Sequence, residues 1–274
     1  MKKSVFIIIR RRAVFVSILS IFAITFGLID YYRETARMSI SAINQFKPKV
    51  AIIIDDFGQP FNKGREEILA LKEYPLTLAV MPNLEKTSED ALRAQECGFD
   101  VLIHMPMQPV NGKKSWLGPG VITKYMTSEQ ITKNLENALK QIPMAVGINN
   151  HMGSLVTQRK DLMLPVMKFL KENEMFYIDS RTTEKSVCDT VAKEIGVPFD
   201  KCNSFLDDKN DYASIKKEIL KLGETARKGG YAIGIGHVGH QGLNTARALK
   251  DTLPILKSEG IELVYVSELI QREP

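Results

Sequence analysis

At 274 residues, with 44% hydrophobic and 25% charged residues, the chain is too long for a disulfide-stapled miniprotein and has the composition of a globular protein with a sizeable core. Disorder, collagen and coiled coil are excluded as descriptions of the whole. Lys2, Lys3, Arg10, Arg11 and Arg12 are the only charges in the first 29 residues and account for the whole net charge of +5. The remainder is therefore neutral and lacks the basic footprint of a nucleic-acid binder.

Residues 1–12 read as a basic cytoplasmic segment and residues 13–29, AVFVSILSIFAITFGLI, as a transmembrane signal anchor. This uncharged stretch reaches the short end of the range for a spanning helix and exceeds a signal-peptide core of about 7–15 residues. Its flank, Asp30-Tyr31-Tyr32-Arg33, has no small-x-small cleavage site, and its tyrosines suit an interfacial aromatic belt. The positive-inside rule then sends everything after residue 30 out of the cytoplasm. A cleaved secretory signal is the alternative and leads to the same side of the membrane. Residues 30–47 read as a tether and residues 48–274 as one domain. Cys97, Cys188 and Cys202 are odd in number, so at least one is left unpaired within the chain. Pairing of Cys188 with Cys202 stays open; the default is buried apolar thiols, since their neighbours do not resemble a zinc site.

From Lys49 onward, short β-branched runs predict strands: VAIIID (50–55), LTLAVM (76–81), DVLIHM (100–105), MAVGIN (144–149), MFYID (175–179), YAIGIG (231–236) and IELVYV (261–266). Helical spacing falls between most of them, at 66–74, 128–142, 162–173 and 212–228. Thr127 with Gln130 forms a capping box for the second of these helices, and Gly229-Gly230 ends the last. Strands alternating with helices predict a parallel sheet, and their continuous apolar character predicts burial on both faces. The expected fold is α/β, a distorted (β/α) barrel of about seven parallel strands.

Polar residues follow each strand. Asp55-Asp56-Phe57-Gly58 ends the first, His104 follows VLI, and Asn149-Asn150-His151 follows AVGI. Asp179-Ser180-Arg181 ends the fifth, and His237 and His240 follow AIGIG. In parallel barrels this edge carries the active site, because the βα loops converge there. Histidine nitrogens plus one carboxylate leave a position open, as at a catalytic zinc or similar divalent ion. A neighbouring carboxylate can take the proton of the bound water. Asp55-Asp56 offers both carboxylates at a strand end where the pleat breaks; taken alone, Asp-Asp-Phe-Gly would be a turn. Gly234–Gly239 matches G-x-G-x-x-G, but too little chain follows for a dinucleotide-binding half-domain. P-loop and serine-hydrolase motifs are missing from the sequence. Trp116, in KKSWLGPG, suits either a sugar-stacking platform or a lid packed on its own barrel.

The blocks Ile-Asp55-Asp56-Phe-Gly, His104-Met-Pro-Met, Gly-Ile-Asn-Asn-His151-Met-Gly-Ser, Tyr-Ile-Asp179-Ser-Arg181-Thr and Gly-Ile-Gly-His237 resemble the divergent polysaccharide deacetylases, the YibQ-like branch of the NodB-type carbohydrate esterases. Phe205-Leu206-Asp207-Asp208 is similar to a further block of that branch. The resemblance runs from about residue 48 to the C-terminus. It implies a NodB-like barrel and metal-dependent removal of acetyl groups from N-acetylated sugars. It further implies Asp55 as base, Asp56 and His104 as metal ligands, and His237 as acid. Where the superfamily places a second histidine four residues after the first, this chain has Gln108; His151 is the replacement expected. Asp179 or Arg181 is expected to orient neighbouring groups. The leading expectation is an extracytoplasmic hydrolase of an acetylated polysaccharide or peptidoglycan-like substrate, dependent on a divalent metal ion, zinc, and held to the membrane by its N-terminal anchor. The alternatives are a non-catalytic glycan-binding or envelope scaffold protein, and a metal-dependent hydrolase of another ester or phosphate.

Overall fold

The computed structural model describes residues 25–35 and 47–270, and the chain divides into two units, residues 1–47 and Pro48–Pro274. In the first unit, a helix, α1, covers residues 25–35. It includes the last residues of the expected anchor and the first of the expected tether. The basic segment 1–12, residues 13–24 of the anchor and residues 36–46 of the tether lie outside the described residues. Among the described residues, no helix is long and apolar enough to cross a membrane.

The second unit is built on parallel strands. They are β1 (Lys49–Phe57), β2 (Leu76–Val80), β3 (Asp100–Met107), β4 (Gly147–Met152), β5 (Phe176–Asp179), β6 (Phe199–Lys201), β7 (Ser204–Phe205), β8 (Tyr231–His237) and β9 (Glu262–Leu263). Their order is β6-β5-β4-β3-β2-β1-β8-β7, with β9 beside β1. Helices cover the sheet: α2 (Arg65–Leu69), α3 (Thr87–Glu96), α4 (Ser128–Gln141), α5 (Lys160–Glu172), α6 (Cys188–Ile195), α7 (Tyr212–Gly229), α8 (Gly242–Ser258) and α9 (Val266–Ile270). The expected capping box opens α4: Gln130 N–H donates to Thr127 Oγ1 and Thr127 N–H to Gln130 Oε1.

Strand alternation splits the core in two. Val50, Ile52 and Ile54 of β1 pack outward against the helical layer, with Leu135, Ile219 and Leu253. Ala51 and Ile53 face the other way, joining Leu102, Ile178, Ile235 and Leu269 on the inner face of the curled sheet. Burial on both faces is why the strands read as continuous apolar runs.

The strand series departs from the expectation in two respects. Nine strands form rather than about seven, because the short polar pieces β6 and β7 carry no periodic signal. The sheet is a half-barrel, since its end strands β6 and β7 do not pair with each other. The run IELVYV supplies only two strand residues. Here β8 pairs with β1 from Lys49, whereas β2 pairs only from Ile52. That leaves a vacancy of about the length β9 fills, at Lys49 and Val50, before the chain turns into α9. Cys97, Cys188 and Cys202 are free thiols. Burial pushes the Cys188 and Cys202 thiols up to about 12, consistent with apolar packing residues.

Candidate metal centre and its surroundings

Successive strand residues point to opposite faces, so Asp55 and Asp56 would be separated in an unbroken β1. The backbone of Asp56 instead adopts φ 71°, in the left-handed region, and the pairing with β2 slips between Ile54 and Phe57. Such backbone costs about 1–3 kcal/mol and persists only where its surroundings hold it. Here Asn62 Nδ2 donates to the Asp56 carbonyl at 2.8 Å. One residue past Phe57, Gly58 N–H donates to the buried Asp90 carboxylate, which also receives Arg65. The same loop is tied to the start of α8: Gly239 N–H donates to the Lys63 carbonyl, and a Cβ on Gly64 would land on the backbone of Gly242.

The last β2 residue, Val80, pairs with Ile103, so His104 lies one step beyond the end of β2. His151 stands on β4, opposite Pro106 of β3. Asp56 Oδ1 is 3.4 Å from His104 Nε2 and 3.3 Å from His151 Nδ1, and the two ring nitrogens are 3.2 Å apart. Bonds of about 2.0–2.1 Å from a tetrahedral zinc-like ion set ligand-to-ligand edges of about 3.3–3.4 Å. Asp56 Oδ1 is out of solvent and, despite its short distances to both rings, accepts no hydrogen bond of proper geometry. The donor set, its spacing and this orphaned oxygen fit a divalent cation. Burial alone would raise the Asp56 carboxyl, but the rings of His104 and His151 hold it well below the usual carboxylate range. His151 Nε2 lies 2.9 Å from the carbonyl of Trp116, whose own ring is exposed.

Asp55 is buried beside this cluster, with Oδ2 3.6 Å from His104 Nδ1; burial raises its carboxyl. The β1–β8 register sets Asp55 directly opposite His237. His237 Nδ1 pairs with Asp207 Oδ1 at 2.8 Å. The other Asp207 oxygen accepts the His237 backbone N–H and the Thr245 hydroxyl, each at 2.7 Å. Burial would lower the ring's pKa, yet the Asp207 hydrogen bond and charge push it up to about 9. Gly236, the second glycine of the G-x-G-x-x-G run, keeps open the space that Thr245 and Asp207 occupy. That motif serves packing here. The His237–Asp207 pair stabilises the fold fully below the ordinary histidine value of 6.5, and this contribution is lost as pH rises through about 9. The stability difference between wild type and Asp207→Asn, followed by urea unfolding, is therefore expected to shrink across that interval.

The structure thus brings together Asp55, Asp56, His104 and His151, with His237 on the adjoining strand. Asp179 and Arg181 have other partners. The buried Asp179 carboxylate accepts Arg181 N–H, and the Arg181 guanidinium pairs with Glu184 at 2.6 Å. None of their hydrogen bonds or ion pairs among the described residues reaches the cluster, and the Arg181 backbone is left-handed, φ 51°. The His240 carbonyl accepts Asn210 Nδ2. Gln108 braces a loop by accepting Lys124 N–H. Asp207 had no role assigned from sequence, although its position just after β7 repeats the strand-end pattern of the other acids.

A family model described as divergent polysaccharide deacetylase matches residues 52–270. The Escherichia coli K12 protein YibQ is 34% identical over 223 residues, covering 81% of this chain and 67% of that protein. The crystal structure of the uncharacterized protein ATU2773 from Agrobacterium tumefaciens C58 superposes with TM-score 0.75 at 21% identity, over 83% of this chain and 94% of that one. The catalytic domain of a peptidoglycan N-acetylglucosamine deacetylase from Eubacterium rectale ATCC 33656 gives TM-score 0.51 at 14% identity, over 80% and 88% of the two chains. These two superpositions establish likeness of fold.

Proposed function

The chain belongs to the divergent polysaccharide deacetylase family, and from that membership we propose that it is a zinc-dependent hydrolase removing acetyl groups from an N-acetylated glycan of the cell envelope. The observation that carries this reading is the triangle of Asp56 Oδ1, His104 Nε2 and His151 Nδ1, with edges of 3.2–3.4 Å. When bound, the ion supplies Lewis-acid polarisation of the acetyl carbonyl and lowers the pKa of water. Asp55, buried next to the ligands, takes the proton of the attacking water, and its raised pKa suits a general base. His237, kept protonated at neutral pH by Asp207, gives its proton to the departing amine. Acetate and the free amine of the sugar are the products. Asp179 and Arg181 are assigned to holding the adjoining βα loop rather than to the reacting groups.

The test joins metal analysis of the purified protein to acetate release from N-acetylated oligosaccharides. About one zinc per chain is expected, with acetate release abolished by chelation and restored by zinc. Metal retention without hydrolysis of any acetylated glycan would favour the glycan-binding scaffold instead. The location we propose is extracytoplasmic, with residues 13–29 as anchor; it rests on that apolar run behind Arg10-Arg11-Arg12. A periplasm-active reporter fused after residue 47 should be active, and activity of only a cytoplasm-specific reporter would refute the topology.

A further inference from the structure

Alternation along β4 sends residues 149 and 151 to one face and residue 150 to the other. Asn150 accordingly turns away and accepts the Tyr177 hydroxyl and Ser180 N–H, both at 3.0 Å. Asn149, wholly buried, shares the site face with His151 and touches two of its functional groups at once. Its Nδ2 donates to Asp55 Oδ1 at 2.8 Å, and its Oδ1 stands 2.9 Å from His104 Nδ1. A carboxylate only accepts, so the nitrogen of the amide must face Asp55 and the oxygen must face His104. The His104 contact is a hydrogen bond only if Nδ1 carries the proton. That leaves the lone pair on Nε2, the atom 3.4 Å from Asp56 Oδ1. His151 is built the opposite way: Nε2 donates to the Trp116 carbonyl, and Nδ1 faces the cluster.

We infer that Asn149 is a positioning residue that sets the tautomer of His104 for metal binding and, through the same amide, aims the Asp55 carboxylate. The inference rests on the roles proposed above for Asp55 and His104. An amide offers a donor to one neighbour and an acceptor to the other from two separate atoms. Leucine fills the space with neither, and aspartate keeps the acceptor while setting a like charge against Asp55.

The experiment uses the full chain and three proteins: wild type, Asn149→Leu and Asn149→Asp. The ring nitrogens of His104 are read by nitrogen-15 NMR without metal, at a pH where the ring is neutral, and zinc affinity is read by chelator competition. Wild type should show protonated Nδ1 and bare Nε2. Asn149→Leu should lose that single-tautomer signature and bind zinc about 10–100-fold more weakly. Asn149→Asp should keep the signature and bind zinc within a few-fold of wild type. On a substrate that wild type deacetylates, Asn149→Asp should lower kcat more than it changes KM and move the pH profile. A wild-type ring protonated on Nε2, or an unchanged signature and affinity in a folded Asn149→Leu, would overturn the inference. Should the leucine variant fail to fold, loss of the Nδ1–H signature in Asn149→Asp would overturn it equally. The ring spectrum needs neither metal nor substrate, so correct tautomers without acetate release would sink the hydrolase reading alone.

Discussion

Asp56→Ala is expected to leave the protein unable to retain a divalent ion through dialysis, with metal content falling from about one equivalent to background and acetate release falling to background with it. Asp56 Oδ1 is one corner of a three-atom set, and its removal leaves two ring nitrogens 3.2 Å apart, short of the three protein ligands typical of a catalytic zinc site. His151→Ala should behave alike. Both side chains are partly exposed, so the metal-free fold should survive. Zinc at about 100 times its Kd stabilises a protein that binds it only when folded by about 2.7 kcal/mol, and that increment should be present in wild type and missing from both variants. Thermal unfolding with and without zinc reads it directly. Equal zinc stabilisation in wild type and Asp56→Ala would remove Asp56 from the ligand set.

Asp55→Asn and His237→Ala should give the complementary signature: zinc content retained and turnover reduced by about 10²–10⁴-fold. Neither residue is in the three-atom set, yet each lies beside it. Asp55 is opposite His237 in the β1–β8 register, and Asp55 Oδ2 is 3.6 Å from His104 Nδ1. Asparagine at position 55 keeps size and shape but cannot take a proton from water. Alanine at position 237 removes the ring that Asp207 holds in its protonated form. Metal analysis beside steady-state kinetics separates the two classes of variant. Unchanged turnover in both variants would dismiss the proposed base and acid while leaving the metal site standing.

Much of this candidate site is legible in the sequence. The β-branched runs mark the strands, and the residues just beyond them, Asp55-Asp56, His104, His151 and His237, mark the edge at which the structure gathers the cluster. Other features are not legible in this way. Arg181 follows Asp179 at a strand end just as the other polar residues do, and only the structure gives its guanidinium a partner, Glu184. IELVYV has the pattern of a full strand, yet it pairs with β1 only at Lys49 and Val50. The contacts of Asp207 and Asn149 are not legible in the sequence, because their partners lie far away in it: His237 and Thr245 for one, Asp55 and His104 for the other.

The sequence by itself determined the parallel α/β class, the burial of the strands on both faces and the family resemblance. Each of these is written in short-range pattern: an apolar run of strand length, a cap, a polar residue where a strand stops. Strand order, the open seam between β6 and β7, the left-handed turn that swings Asp56 to the side of Asp55, and the choice of ring nitrogen at each histidine were decided only by the tertiary structure. These depend on which strands come to lie side by side, and that follows from packing the whole sheet beneath its helices rather than from any one segment.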